Sequence, residues 1–181
     1  MQGRFAFAKV MLAGLLFLAA CTTPPITIGL ADLTIDLSIA VNSAEKVIFP
    51  ANPIKFENPV PETSVASVTV RGEAWLKKEA NVSFNVYATD TDPGKLGCDP
   101  FPSREFYLCD PDTNGIEQVS QDAIAFESNA GPVSFELRGT MLANGLNAKS
   151  LYLGASIEGG TAGNVLYLKK MRATVQLNIG K

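Results

Sequence analysis

Apolar residues recur at every second position through most of the chain, and this period constrains the fold more than any other feature of the sequence. Successive side chains of a β-strand point to opposite faces of a sheet, so such a run has one buried and one exposed face. The clearest runs cover residues 68–76 and 82–88, with a short polar segment between them. We expect these two runs to pair as an antiparallel hairpin with both apolar series on one face.

Further strands are predicted on both sides of this pair. The alternation changes phase at Ala31-Asp32, which predicts a β-bulge or a switch between sheets. The extended run 165–179 should bend or bulge near Lys169-Lys170, because the strict alternation breaks there. Shorter strands are expected around residues 47–49, 123–127, 133–137 and 151–157. Residues 139–147 are rich in turn formers, and no segment after residue 21 has a convincing amphipathic helical pattern.

About eight strands without helices indicate an all-β fold. We predict an antiparallel β-sandwich, immunoglobulin-like or jelly-roll in style, with an up-and-down β-barrel as the alternative. No internal repeat or interdomain linker is evident, so residues 26–181 should form a single domain.

The N-terminal segment has the layout of a secretory signal. Arg4 and Lys9 precede the apolar run 10–20, whose eleven residues are too few to span a bilayer. The run ends in Leu18-Ala19-Ala20-Cys21, which resembles the lipobox of bacterial lipoproteins.

The lipobox resemblance implies a membrane anchor. In that family the chain is cut before the cysteine, which is acylated, so residues 1–20 would be the signal peptide and Cys21 the lipidated first residue. Residues 21–25 would form a short tether that keeps the domain near the membrane. Thr22 follows the cysteine in place of the aspartate associated with inner-membrane retention, which implies the outer membrane in a cell with two membranes.

The charge balance and the residue types limit which partners and which active sites the chain can have. Residues 1–20 carry two of the fifteen basic residues and none of the eighteen acidic ones, so the remaining 161 of 181 residues carry thirteen against eighteen, a formal charge of −5. This balance argues against nucleic acid as a partner. The sequence has no histidine, which excludes histidine-based triads and histidine-ligated zinc.

Cys98 and Cys109 are the two cysteines left after Cys21. An even pair in an exported chain predicts a disulfide, and two sulfurs without histidine are a poor metal-ligand set.

The segment Asp110-Pro111-Asp112-Thr113-Asn114-Gly115 resembles the first half of a calcium loop. Oxygens of Asp110, Asp112 and Asn114 could converge on one Ca²⁺, and the glycine permits a sharp turn. The same residue types also form ordinary hydrophilic turns, and position twelve holds Gln121 in place of the expected glutamate.

Trp75 lies on the polar side of its predicted strand, together with Arg71 and Glu73, and the hairpin register would place Tyr87 on the same side. Trp75 and Tyr87 are therefore a candidate binding surface, although such a tryptophan more often lies beneath a loop or another strand.

These features favour a non-enzymatic, lipid-anchored protein of the cell envelope that has a structural role or binds a protein or glycan of the envelope. The alternatives are a β-barrel carrier of a small hydrophobic ligand or lipid, and an envelope hydrolase with paired carboxylates or a serine–lysine pair. No motif in the sequence supports catalysis.

Overall fold

A computed structural model describes residues 24–38, 46–103, 105–160 and 163–178. Within these ranges the chain forms twelve strands and one α-helix. The strands are β1 Ile26–Gly29, β2 Leu33–Asp36, β3 Val47–Pro50, β4 Val65–Leu76, β5 Ala80–Thr89, β6 Asp99–Pro100, β7 Phe106–Cys109, β8 Glu117–Gln118, β9 Ile124–Asn129, β10 Val133–Arg138, β11 Tyr152–Gly160 and β12 Val165–Leu177; the helix, α1, is Thr140–Asn147.

The strands form two antiparallel sheets. In the five-stranded sheet, β1 and β2 both pair with β12, which is followed by β4 and β10. In the seven-stranded sheet the order is β6-β7-β3-β11-β5, and both β8 and β9 pair with β5. Apolar side chains from both sheets meet in one buried cluster between them. The prediction of an all-β antiparallel sandwich is confirmed.

The predicted hairpin of residues 68–88 is wrong. β4 pairs with β12 and β10, whereas β5 pairs with β11, β8 and β9, so the chain crosses from one sheet to the other between them. Lys77 N–H donates to the Val165 carbonyl (2.9 Å) and Lys78 N–H to Asn164 Oδ1 (3.1 Å), which ties the crossing to the start of β12. Alternation correctly identifies the buried faces of β4 and β5, and both faces line the same core. It does not identify which strand lies next to which.

The two predicted irregularities are confirmed, and they lie opposite each other. The register of β12 against β4 shifts between Lys169 and Arg172, where Lys170 has a φ of 52°. Lys170 N–H donates to Asp32 Oδ1 (3.1 Å), and Leu30 N–H donates to the Met171 carbonyl (3.0 Å). At this bulge the buried positions of β12 change from even to odd residue numbers. The same change occurs between β1 and β2, the two strands that pair with β12 on this side.

The segment expected to be turns contains helix α1, so that prediction is wrong. Leu142 and Leu146, one helical turn apart, are fully buried against the core. The Glu117 carboxylate accepts a hydrogen bond of 2.6 Å from Met141 N–H at the start of the helix. With only eight residues, α1 depends on this tertiary packing more than on local sequence pattern. No helix in the described ranges is long and apolar enough to cross a membrane.

Candidate ligand-binding face

The outward side of three adjacent strands of the five-stranded sheet, β12, β4 and the edge strand β10, combines aromatic and basic side chains. We call it the aromatic–basic face; its charged residues on β4, β10 and β12 are five basic and two acidic. It consists of Arg71, Glu73, Trp75, Ser134, Glu136, Arg138, Tyr167, Lys169, Lys170 and Arg172. Because the whole sequence has a formal charge of −3, positive charge is concentrated here.

Trp75 and Tyr167 form the first row of this face. They are directly opposed in the register of β4 and β12, and both are partly exposed. The ammonium of Lys169 lies 5.1 Å from the Tyr167 ring centroid and 5.9 Å from that of Trp75. Both distances are within the range of cation–π attraction, so Lys169 holds a positive charge beside the two rings.

Glu73 forms the second row with Lys169 and Ser134, its register partners on either side. The Lys170 ammonium lies 3.0 Å from the Glu73 carboxylate, and Trp75 Nε1–H donates a weaker bond of 3.3 Å to it. The hydrogen bond from Lys170 is the main reason why the pKa of Glu73 lies below its ordinary value. Glu73 therefore stays ionised and orients Lys170 and Trp75 together.

The third row places two arginines side by side. Arg71 and Arg172 are directly opposed, and like charges at such positions destabilise a sheet. Glu136 neutralises Arg71 through a 2.5 Å contact and also accepts from Arg138. The hydrogen bond from Arg71, and then that from Arg138, lowers the pKa of Glu136. Among the described residues, no carboxylate forms an ion pair with Arg172.

A shallow cleft of about 320 Å³ opens between these rows. It is lined by Arg71, Glu73, Lys170, Arg172, Ser134, Gly72 and Phe135. Gly72 lies opposite the bulge, and a Cβ there would meet Phe135 Cζ at 2.7 Å and the Lys169 carbonyl oxygen at 2.9 Å. Gly72 therefore leaves room for the Phe135 ring beneath the cleft, and three cations, Arg71, Lys170 and Arg172, line the opening.

A further carboxylate flanks the cleft. Gly29 is the register partner of Arg172 on β1, and Glu57 Oε2 lies 2.1 Å from where a Gly29 Cβ would be. Glu57 therefore occupies the space above Gly29, beside the strand position of Arg172. An incoming anion would compete with this carboxylate and with Glu73 for the cations.

Tyr87 is separated from Trp75. It projects from β5 on the outer side of the seven-stranded sheet, where it is 9% exposed, so the two do not form one surface. It belongs to a second apolar cluster with Val47, Phe49, Cys98, Cys109 and Tyr152, against which Leu96, Tyr107 and Ile116 of the segment after β5 pack. Burial is the main cause of the raised pKa of Tyr87 and of Tyr152. The structure thus makes Tyr87 a packing residue.

Cys98 and Cys109 form the predicted disulfide, with a Cα–Cα distance of 4.6 Å. It joins the start of β6 to the end of β7 and lies in the second cluster. The bond therefore fixes the covering loop to the outer side of the seven-stranded sheet.

Asp110, Asp112 and Asn114 lie in the turn that follows β7. The Asp110 carboxylate pairs with the Lys46 ammonium, and its carbonyl accepts from Thr113 N–H at 3.0 Å. In the described ranges, no three side chains drawn from Asp, Glu and Cys come together as a metal-ion site. Calcium binding by this turn stays a prediction.

The predicted signal peptide, residues 1–20, and Cys21 lie outside the described residues. β1 begins at Ile26, where the tether was expected to end. No protein-family model matches the chain, and no curated protein or solved structure is detectably similar to it.

Tyr167, Lys169 and Arg172 were not recognised from the sequence as site residues. These residues join the site because β12 pairs with β4, a segment nearly one hundred residues away in the sequence. Alternation does not specify which strands pair. The available signal was the break in alternation at Lys169-Lys170, which marked the position of the bulge beneath the cleft.

Proposed function

We propose that this chain is a lipid-anchored protein of the cell envelope that binds another envelope component through its aromatic–basic face. The role is non-enzymatic: the protein holds its partner near the membrane. The observation that carries this proposal is the row arrangement of Trp75, Tyr167, Lys169, Arg71 and Arg172 on one exposed sheet face.

The anchor part of the proposal rests on the resemblance of Leu18-Ala19-Ala20-Cys21 to a lipobox. The Cys98–Cys109 bond supports it, because structural disulfides are typical of compartments outside the reducing cytosol. Only four residues separate Cys21 from β1, and four residues span at most about 14 Å. An acylated Cys21 would therefore hold the domain next to its membrane, the outer membrane in a cell that has two.

The binding part rests on how the face departs from an ordinary protein surface. Partly exposed tryptophan, tyrosine and arginine are enriched where proteins bind partners. The directly opposed arginines oppose folding, and a bound anion would relieve their repulsion. The outer side of the other sheet is different, because Leu96, Tyr107 and Ile116 already pack against the cluster that contains Tyr87.

The carrier alternative has less support. Side chains of both sheets pack into one buried core, in which the ring centroids of Phe84 and Phe126, both from the seven-stranded sheet, lie 6.0 Å apart. A hydrophobic ligand of ordinary size needs a pocket of several hundred Å³ with apolar walls. The cleft on the aromatic–basic face is open and is rimmed by charges.

Membrane fractionation tests the anchor. In wild-type cells the protein should sediment with membranes, and Cys21→Ala should remain unlipidated and, if exported, appear in the soluble fraction. A Cys21→Ala protein that stays fully membrane-bound would contradict the anchor.

In-cell photocrosslinking tests the binding face separately. A photoreactive amino acid at Ser134 or Thr174, next to the aromatic and basic residues, should yield a reproducible crosslinked species, whereas the same probe at Lys95, exposed in the loop over the other sheet, should yield none. Equal crosslinking from all three positions would contradict a specific face.

A further inference from the structure

We infer that the partner of the aromatic–basic face is an anionic glycan, a chain of sugar rings that carry carboxylate or phosphate groups. This inference rests on the proposed function and specifies the chemistry of its partner. Sugar rings would take the place of the Lys169 ammonium on Trp75 and Tyr167, and the acidic groups would be held by Arg172, Arg71 and the displaced Lys169.

The arginine pair indicates the anion. Directly opposed residues on neighbouring strands have Cβ atoms about 5 Å apart, so two guanidinium groups at Arg71 and Arg172 repel each other. Glu136 compensates Arg71 alone. Guanidinium groups bind carboxylate and phosphate through paired N–H donors, and an acidic group between the two would replace repulsion by attraction.

The aromatic pair indicates the sugar. Trp75 and Tyr167 lie side by side on a sheet, and each is only partly exposed. Sugar rings have faces made of C–H bonds that stack on aromatic rings, and their hydroxyl groups need hydrogen-bond partners nearby. Hydroxyl side chains do flank the rows: Ser134 beside Glu73, and Thr69, Thr174 and Thr27 in the row beyond the arginines.

The spacing of the rows indicates a chain longer than one sugar. Trp75 is four positions from Arg71 along β4, which corresponds to about 13 Å in an extended strand. A monosaccharide cannot reach both rows. An oligosaccharide lying along the strand direction would contact the rings at one end and the arginines at the other.

Two other anionic partners fit the face less well. An acidic peptide would satisfy the arginines, but its extended backbone presents no flat apolar ring to Trp75 and Tyr167. A membrane surface of anionic lipid would attract the cations, but so broad a surface would meet Glu73, Glu136 and the neighbouring Glu57 at the same time, whereas a single acidic group of a glycan could lie between Arg71 and Arg172.

The experiment uses the fluorescence of Trp75, because it is the only tryptophan of the chain and lies in the face. The full chain in detergent is titrated with an oligogalacturonate and with the same oligomer after complete methyl esterification, which keeps the rings and removes the charges. We expect the acidic oligomer to change the fluorescence saturably, with an affinity that falls as salt rises, and the esterified oligomer to bind at least about tenfold more weakly.

Substitutions assign the interaction to the arginines. Arg172→Ala should weaken binding about tenfold or more, and Arg172→Lys, which keeps the charge but loses the paired donors, should recover only part of it. Lys95→Ala removes one charge from the loop over the other sheet and should leave the affinity within about twofold. Unchanged melting temperatures would show that the variants are folded.

Other outcomes overturn the inference. Equal binding of both oligomers, binding of neither, or a fluorescence response only to phosphatidylglycerol vesicles or to an oligo-aspartate peptide would each contradict an anionic glycan. If the crosslinking from Ser134 and Thr174 captures a protein while the oligogalacturonate fails, the proposed binding face stands and the glycan inference falls. If crosslinking also fails, both fall.

Discussion

Glu136 is the single residue that most strongly limits the positive charge of the aromatic–basic face. Its carboxylate contacts Arg71 and Arg138 at 2.5 Å, and these hydrogen bonds lower its pKa. An ionised Glu136 therefore stabilises the fold but competes with any anion that approaches Arg71. The same carboxylate thus raises the stability of the fold and weakens anion binding at Arg71.

Glu136→Gln separates these two effects. The variant should bind the oligogalacturonate more tightly than the wild type, because Arg71 is released. It should also be less stable than the wild type above pH about 4.3, the ordinary pKa of an unfolded glutamate. That difference should vanish as the pH falls through the lowered pKa of folded Glu136.

Thermal unfolding across acidic pH measures the stability difference, and Trp75 fluorescence measures the binding. Glu127→Gln is the matched control, because Glu127 is exposed on β9 of the other sheet. A Glu136→Gln variant with wild-type affinity would show that Arg71 does not contribute to the site.

Among the structural elements, the bulge of β12 is the one that shapes the cleft. Lys170 adopts a left-handed backbone conformation, which costs a residue with a side chain about 1–2 kcal/mol relative to glycine. Its ammonium meanwhile pairs with Glu73 at the rim of the cleft. The bulge thus retains a lysine where glycine would fit the backbone best.

Comparison of Lys170→Gly with Lys170→Ala isolates the backbone effect, because both variants lose the ammonium. The glycine variant should be the more stable by about 1 kcal/mol in denaturant unfolding, the reverse of the order in a regular strand. Alanine as stable as glycine would mean that the bulge relaxes when Lys170 is replaced.

The covering loop of the seven-stranded sheet depends on the Cys98–Cys109 bond. Its short closed loop, with a sequence separation of 11, corresponds to about 3 kcal/mol in the chain-entropy estimate. The double variant Cys98→Ala/Cys109→Ala should therefore unfold at lower denaturant, and Tyr87 and Tyr152 should become more exposed. Wild-type stability in the double variant would mean that the apolar cluster alone holds the loop.

At the scale of the whole molecule, the two-sheet architecture was easier to predict from the sequence than the pairing of strands within each sheet. Alternation is a local property, so the all-β sandwich and the bulge near Lys170 were predictable. The pairing of β4 with β12 and the crossing before β5 were not, because a strand with one buried face fits several neighbours. The site depends on that pairing, which explains why Trp75 was found without Tyr167 and was instead grouped with Tyr87.

We propose that acylated Cys21 places the domain beside a membrane and that the aromatic–basic face holds an envelope component there. The rings of Trp75 and Tyr167 are natural probes of this face, and Tyr107 on β7 is an internal control from the other sheet.

Hydroxyl-radical footprinting tests this account most directly, with the oxidation of these three residues compared in intact cells and in the purified protein. We predict that Trp75 and Tyr167 are protected in cells while Tyr107 is oxidised to the same extent in both. Equal oxidation of Trp75 and Tyr167 in cells and in solution would contradict a face that is occupied in the envelope.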